Sequence, residues 1–166
     1  MKYAELKLND IANAPGIAIS LYVQGCPHHC KGCFNQETWD FEGGKEFTDK
    51  ELNTIIMNLR KHGIKRSLCI LGGEPLCDEN VPLTNYVISE VKKIYPDTPI
   101  YIWTGYLLER VIERAENNEN LKEILKQVDY IVDGPFKEEL KDLRLKMRGS
   151  SNQRIIPIKE IRKLIL

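Results

Sequence analysis

Three of the chain's five cysteines fall within eight residues, Cys26-Pro27-His28-His29-Cys30-Lys31-Gly32-Cys33, directly after the apolar stretch Gly16-Ile17-Ala18-Ile19-Ser20-Leu21-Tyr22-Val23. Thiolates this close repel one another and are hard to keep deprotonated without a metal. Three is one short of the four-thiolate set that usually closes an iron–sulfur cube. A cube held by three leaves one iron open, and an open coordination site is where a second molecule can react. Two blander readings compete. Buried thiols that happen to be close are one, although buried cysteines seldom cluster among polar and charged neighbours. A zinc site completed by His28 or His29 is the other, since zinc motifs mix Cys and His. No second Cys/His pair follows to finish an ordinary finger, and both histidines lie inside the loop, where reaching the same metal is strained. Cys69 sits in an apolar strand and reads as core. Cys77 could supply a fourth ligand, but nothing in its spacing demands it, and it too reads as structural.

Gly72-Gly73-Glu74-Pro75 follows an apolar run. Its plain reading is a tight turn that lets a helix start. Beside a cluster loop it has a second: paired glycines let backbone approach a ligand closely, and Glu74 can accept hydrogen bonds from an ammonium group. The run Arg148-Gly149-Ser150-Ser151-Asn152-Gln153-Arg154 is either a solvated turn or the lining of a polar pocket. Residues 137–148 mix charges of both signs and read as a solvated face.

The elements around these residues alternate. The capping box Thr48…Glu51 and the spacing of Leu52, Ile55, Ile56 and Leu59 predict a helix over about 49–62, ended by Gly63. Strands are expected at 16–23, 67–71, 100–103, 130–132 and 154–158. Further helices are expected at 81–95, 107–115, 121–127 and the C-terminus. Strands alternating with helices imply right-handed crossovers and a mostly parallel sheet. The cysteines, Gly-Gly-Glu, Thr104-Gly105-Tyr106 and Asp133-Gly134-Pro135 each follow a strand, and would line one rim at the carboxyl ends. Six or fewer strands cannot close an eight-stranded barrel of usual size, so an open, partial (β/α) barrel is expected.

A chain of 166 residues reads as one domain, 1–166, with a real core. Lys plus Arg and Asp plus Glu both total 24. That balance gives no electrostatic case for nucleic acid or an anionic membrane. The charged first ten residues spoil a secretory signal, and no apolar run approaches the roughly 20 residues of a membrane span. A cytoplasmic location is expected. An odd cysteine count with three at metal spacing argues against a disulfide framework.

Cys26, Cys30 and Cys33 fit the C-x3-C-x2-C signature of the radical S-adenosylmethionine (radical SAM) enzymes. Within that superfamily the chain resembles the anaerobic ribonucleoside-triphosphate reductase-activating proteins, which generate glycyl radicals. The resemblance rests on Gly25 to Trp39, Gly43-Gly44 with Phe47-Thr48, Gly72-Gly73-Glu74-Pro75-Leu76, Trp103-Thr104-Gly105-Tyr106, Val132-Asp133-Gly134-Pro135-Phe136 and the run from Arg148 to Arg154. These occur in the family's order and span most of the chain.

The resemblance implies a radical SAM domain in which Cys26, Cys30 and Cys33 hold a [4Fe-4S] cluster. The open iron would take the amino and carboxylate groups of S-adenosyl-L-methionine. Gly72, Gly73 and Glu74 would meet that amino group, and Gly32, Cys33 and Phe34 would lie against the cofactor. Many superfamily members place an aromatic residue just before the third cysteine; here Gly32 stands there and Phe34 follows. The implied activity is reductive cleavage of S-adenosylmethionine, with the 5′-deoxyadenosyl radical taking hydrogen from a glycine of the large reductase subunit. A low-potential donor such as flavodoxin would supply the electron. The alternatives are an activator of another glycyl-radical enzyme, such as pyruvate formate-lyase, or a non-catalytic zinc-stabilised binding module.

Overall fold

The computed structural model describes residues 1–165. Seven strands form one open sheet. They are β1 (Lys2–Asp10), β2 (Ala18–Val23), β3 (Lys45–Glu46), β4 (Ser67–Gly72), β5 (Ile100–Trp103), β6 (Tyr130–Asp133) and β7 (Arg154–Pro157). Their order is β3-β1-β2-β4-β5-β6-β7. β2, β4, β5 and β6 run parallel. β1 is antiparallel to β2 and β3, and β7 is antiparallel to β6.

The α/β expectation holds, and the sheet is open as expected. It is mixed, however: parallel through its middle and antiparallel at both edges. The cause is connection length and content. Residues 11–17 join β1 to β2 and are too few for the dozen or more that a parallel crossover needs. Between β6 and β7 the chain forms only the short 3-10 turn Glu138–Leu140, with no crossover helix. The strand count also exceeds the expected six, because β1 and the two-residue β3 add to the near edge.

Five helices accompany the sheet: α1 (Asp49–Asn58), α2 (Val81–Ile94), α3 (Leu108–Ala115), α4 (Glu119–Gln127) and α5 (Ile158–Ile165). The Thr48–Glu51 capping box starts α1, with the Thr48 N–H donating to Glu51 at 2.7 Å. α1 stops short of the expected 62. The Arg66 guanidinium takes the carbonyl oxygens of Asn58 and Lys61, at 2.8 and 3.2 Å, so the last turn is satisfied from outside the helix.

Alternation along the strands sorts side chains to two faces. Ile19, Leu21, Val23, Ile70 and Ile102 pack with the buried side chains of the helices in one large core. Each such fully buried aliphatic side chain contributes about 1.5–3 kcal/mol. The opposite face carries Ala18, Cys69, Leu71 and Tyr101, with Tyr22, Trp103, Tyr130 and the loop residues Ala14 and Met147. No helix residue belongs to that second cluster. No helix among the described residues is long and apolar enough to cross a membrane.

Candidate functional site

The loops after β2, β4, β5 and β6 do meet on one rim, around a cavity of about 430 Å³. Cys26, Cys30, Cys33, Phe34, Gly72, Gly73 and Glu74 all line it. Gly32 does not. It sits at φ +75°, and a Cβ there would meet the Glu138 side chain at 3.0 Å, so the loop's left-handed turn at this position favours glycine.

The cysteine loop is anchored at its first residue. The Gly25 N–H donates to the Thr38 carbonyl at 2.6 Å and the Cys26 N–H to Trp39 at 3.2 Å. The Gly25 carbonyl accepts from the Glu74 N–H at 2.8 Å and from Asn80 Nδ2 at 3.1 Å. Gly73 is what allows this crossing: a Cβ there would lie 2.3 Å from the Gly25 oxygen. Gly72 lies as close to β2, where a Cβ would meet Tyr22 Cα at 2.9 Å, so the paired glycines serve backbone approach, Gly73 to the cysteine loop and Gly72 to the neighbouring strand.

The two histidines of the loop have partners other than a metal. His28 Nε2 lies 2.7 Å from Glu74 Oε1, and its ring stands edge-on to Tyr106 at 4.6 Å. His29 adopts φ +49° and stacks on Trp39, with ring centroids 4.6 Å apart and planes 7° off parallel. The Trp39 Nε1 beneath it is buried without a hydrogen-bond partner. Zinc ligands converge within about 2.0–2.3 Å of one ion. Among the described residues no three Cys, His, Asp or Glu side chains are grouped to hold a single ion. A cube spreads its thiolates over different irons and needs no such convergence.

The thiols themselves suit metal ligation. Burial pushes Cys26 up to about 11, with hydrogen bonds from the N–H groups of His28 and His29 pulling the other way. Burial also raises Cys30, opposed by the Phe136 N–H. Cys33 Sγ accepts from the Asn35 N–H at 3.3 Å. Partly buried thiols with backbone donors aimed at sulfur lose their protons to a bound metal, and such donors also tune a cluster's potential. This donor set fits a three-thiolate cluster facing a cavity. Cys69 and Cys77 are buried, and burial raises each to about 12. Cys77 Sγ donates to the Glu74 carbonyl at 3.2 Å and does not line the cavity.

Glu74 is 1% exposed, and its carboxylate is more committed than a free shelf for an ammonium. Oε1 faces His28 and accepts from the Gly105 N–H at 2.7 Å; Oε2 accepts from Thr104 Oγ1 and the Leu76 N–H, both at 2.8 Å. An incoming ammonium would share an oxygen with these donors or displace His28, the partner that comes from the cysteine loop. Sequence reasoning left Thr104 without a role, and it proves to be a brace for Glu74. Asp133, also unassigned, is fully buried, caps α3 through the Leu108 N–H at 2.7 Å, and pairs with Arg154 at 2.5 and 2.9 Å. It does not reach the cavity. From the polar run, Arg148, Gly149 and Gln153 line the cavity, while Ser150 is buried and accepts from the Lys137 N–H at 3.2 Å. No sequence signal could have paired His28 with Glu74 or His29 with Trp39, because both contacts depend on the fold.

A cysteine-lined rim at the carboxyl ends of parallel strands defines an iron–sulfur domain, and residues 12–156 match the family described as "4Fe-4S single cluster domain". The chain is 38% identical over 154 residues to the anaerobic ribonucleoside-triphosphate reductase-activating protein of Vibrio cholerae, covering 92% of this chain and 96% of that protein. It is 37% identical to the protein of that name from Escherichia coli K12 over the same shares. With the one from Enterobacteria phage T4 it shares 36% over 155 residues, 93% of each chain. The chain belongs to the family of anaerobic ribonucleoside-triphosphate reductase-activating proteins.

Proposed function

We propose that this chain activates an anaerobic ribonucleoside-triphosphate reductase by radical SAM chemistry. The observation that carries the reading is that three cysteines from one loop and the Gly72–Glu74 turn share one cavity. Family membership along nearly the whole chain supports the choice of partner.

In this reading Cys26, Cys30 and Cys33 would hold a [4Fe-4S] cluster, and S-adenosylmethionine would lie between the cysteine loop and the turn. With an electron from a low-potential donor, the cluster and S-adenosylmethionine together would supply one-electron cleavage of the sulfonium and, through it, hydrogen abstraction from a glycine of the reductase. The chain's own residues bind and orient. The Gly25–Glu74 backbone bond fixes the cysteine loop against the turn. Glu74, braced by Thr104 and the Gly105 N–H, presents fixed negative charge to the ammonium of the methionine half. Leu71, Trp103, Phe136 and Met147 on the cavity wall exclude water. The chain works as a single domain in the cytoplasm, with its sheet curled into part of a barrel and a low-potential electron donor outside it.

The test is anaerobic. The chain is reconstituted with iron and sulfide and incubated with S-adenosylmethionine, a reductant and the reductase. A glycyl-radical doublet on the reductase by electron paramagnetic resonance is expected. A doublet only on a different glycyl-radical enzyme moves the partner, and a protein that takes zinc but no cluster ends the reading.

A further inference from the structure

The cavity wall carries one fixed acid and one fixed base. Glu74 is its only carboxylate, and Arg148 its only Lys or Arg, among the described residues. Glu74 is fully partnered, as described above. Arg148 is not. Its Nη1 donates to the Gln153 carbonyl at 2.9 Å, and its Nε is buried with no hydrogen-bond partner. No carboxylate stands within ion-pair distance of it among the described residues, in contrast to Arg60, Arg110, Arg114, Arg144 and Arg154. A guanidinium is always charged at working pH. A buried donor left unmade costs free energy and calls for a partner.

The local fold holds this guanidinium in place. The Met147 carbonyl accepts from Trp103 Nε1 at 2.7 Å, and the Gly149 N–H donates to Gln153 Oε1 at 2.9 Å. Gly149 lies against the rings of Phe34 and Phe136, where a Cβ would meet carbon atoms at 2.8 and 3.0 Å. Arg148 is therefore pinned on both sides, next to the cysteine loop. With Nη1 spent on Gln153, the edge formed by Nε and Nη2 is the one left over. That edge is planar and two-pronged, and it matches a carboxylate.

We propose that Arg148 is a binding residue for the carboxylate of the α-amino-acid end of the cofactor, with Glu74 serving the ammonium of the same zwitterion. This rests on the radical SAM reading above and deepens it, giving the run from Arg148 to Gln153 a role. The guanidinium neutralises a carboxylate that would otherwise sit among three thiolates, and selects ligands that carry an amino-acid end.

The experiment compares ligands with and without that group. Full-length protein with its cluster reconstituted and held oxidised, so that no cleavage occurs, is titrated with S-adenosylmethionine. The same protein is titrated with two carboxylate-free probes, decarboxylated S-adenosylmethionine and 5′-deoxyadenosine. Affinity is read by equilibrium dialysis for wild type, Arg148→Gln and Arg148→Lys, at equal iron content. Arg148→Gln is expected to weaken S-adenosylmethionine about tenfold or more, in the range of a lost charge-assisted pair. Arg148→Lys, which keeps the charge without the fork, is expected to lose less. Both carboxylate-free probes should change by less than about twofold, as expected for contacts the substitution does not touch. Unchanged affinity for S-adenosylmethionine overturns the assignment. So does an equal loss for all three ligands, which would put Arg148 at the nucleoside or in the fold. A shift of the ligand-free cluster's midpoint potential with S-adenosylmethionine affinity intact would assign the charge to the cluster and also overturn it. Wild-type protein with a full cluster that binds no S-adenosylmethionine would refute the cofactor reading itself, and the Arg148 assignment with it.

Discussion

His28 and Glu74 lie 46 residues apart in sequence, yet the imidazole Nε2 rests 2.7 Å from the carboxylate. The pair joins the middle of the cysteine loop to the turn after β4. Its surroundings leave little freedom: a Cβ on Gly105 would touch the His28 ring at 2.6 Å, and Tyr106 closes the ring's other side. His28→Ala should cost about 1–2 kcal/mol of stability, as for a part-buried hydrogen bond to a charged group. It should also slow cluster assembly, because the loop between Cys26 and Cys30 loses its tether. Urea denaturation gives the first quantity, and iron uptake during anaerobic reconstitution gives the second. His28→Gln, which restores a donor, should recover part of both.

The Gly25–Gly73 crossing makes a sharper prediction. The atom opposing a new Cβ at Gly73 is a backbone oxygen, which no rotamer change can move aside. Gly73→Ala should destabilise by about 1–3 kcal/mol, the range for forced overpacking, and should lower cluster occupancy. Gly63→Ala is the control for added methyls, since nothing lies within 4 Å of a Cβ there, although its φ of +72° adds strain of its own. Denaturant midpoints of the two variants against wild type decide the matter.

On the face of the sheet without helices, Asp10 accepts from Ser20 Oγ at 2.5 Å, the Ala12 N–H at 2.8 Å and Asn13 Nδ2 at 2.5 Å. Burial alone would raise this carboxyl, but the three hydrogen bonds outweigh it and hold it below the ordinary value. A lowered folded-state value means stability that is complete above the unfolded value, about pH 4, and is lost as pH falls through the lowered one. Wild type should therefore lose more stability than Asp10→Asn on going from about pH 5 to pH 3. Urea titrations of both proteins at each pH test this, and parallel losses would show that Asp10 does not contribute.

Much of this architecture was readable because each middle strand is an apolar run closed by glycine, as in Ser67–Gly72 and Ile100–Trp103 ahead of Gly105. The rim followed from strand ends alone. β1 was not read as a strand, although its signal was present. Leu6 and Leu8 are half-buried while Glu5, Lys7 and Asn9 are exposed, the period-two alternation of a strand. The charged residues drew attention to what the segment could not be. The mixed sheet went unread with it: once β1 is recognised, the short connection 11–17 rules out a parallel crossover, and at the far edge residues 137–148 gave no sign that no crossover helix forms there. The cysteines announced themselves by spacing. Thr104, Tyr106 and Trp39 gave no comparable sign, because their work is done on partners far along the chain.

Cys77 offers a clean separation of ligand from neighbour. It is buried, donates to the Glu74 carbonyl and does not line the cavity. Cys77→Ala should retain wild-type iron after reconstitution, whereas Cys26→Ala, Cys30→Ala and Cys33→Ala should each lose most of it. Iron assay and visible absorbance under anaerobic conditions give the comparison. Iron loss in Cys77→Ala equal to that in Cys30→Ala would make it a fourth ligand and close the open iron.

All five helices lie against one side of the sheet, and the thiols, Glu74 and Arg148 gather at the rim that opens onto the other. The other side is covered by loops, with Ala14 and Met147 packed on it, so one flank of the rim is built from loops rather than helices. On the radical reading proposed above, the remaining shelter for a reactive species would come from the docked partner. The timing of such chemistry would then follow the encounter, with little need for a moving flap within the chain.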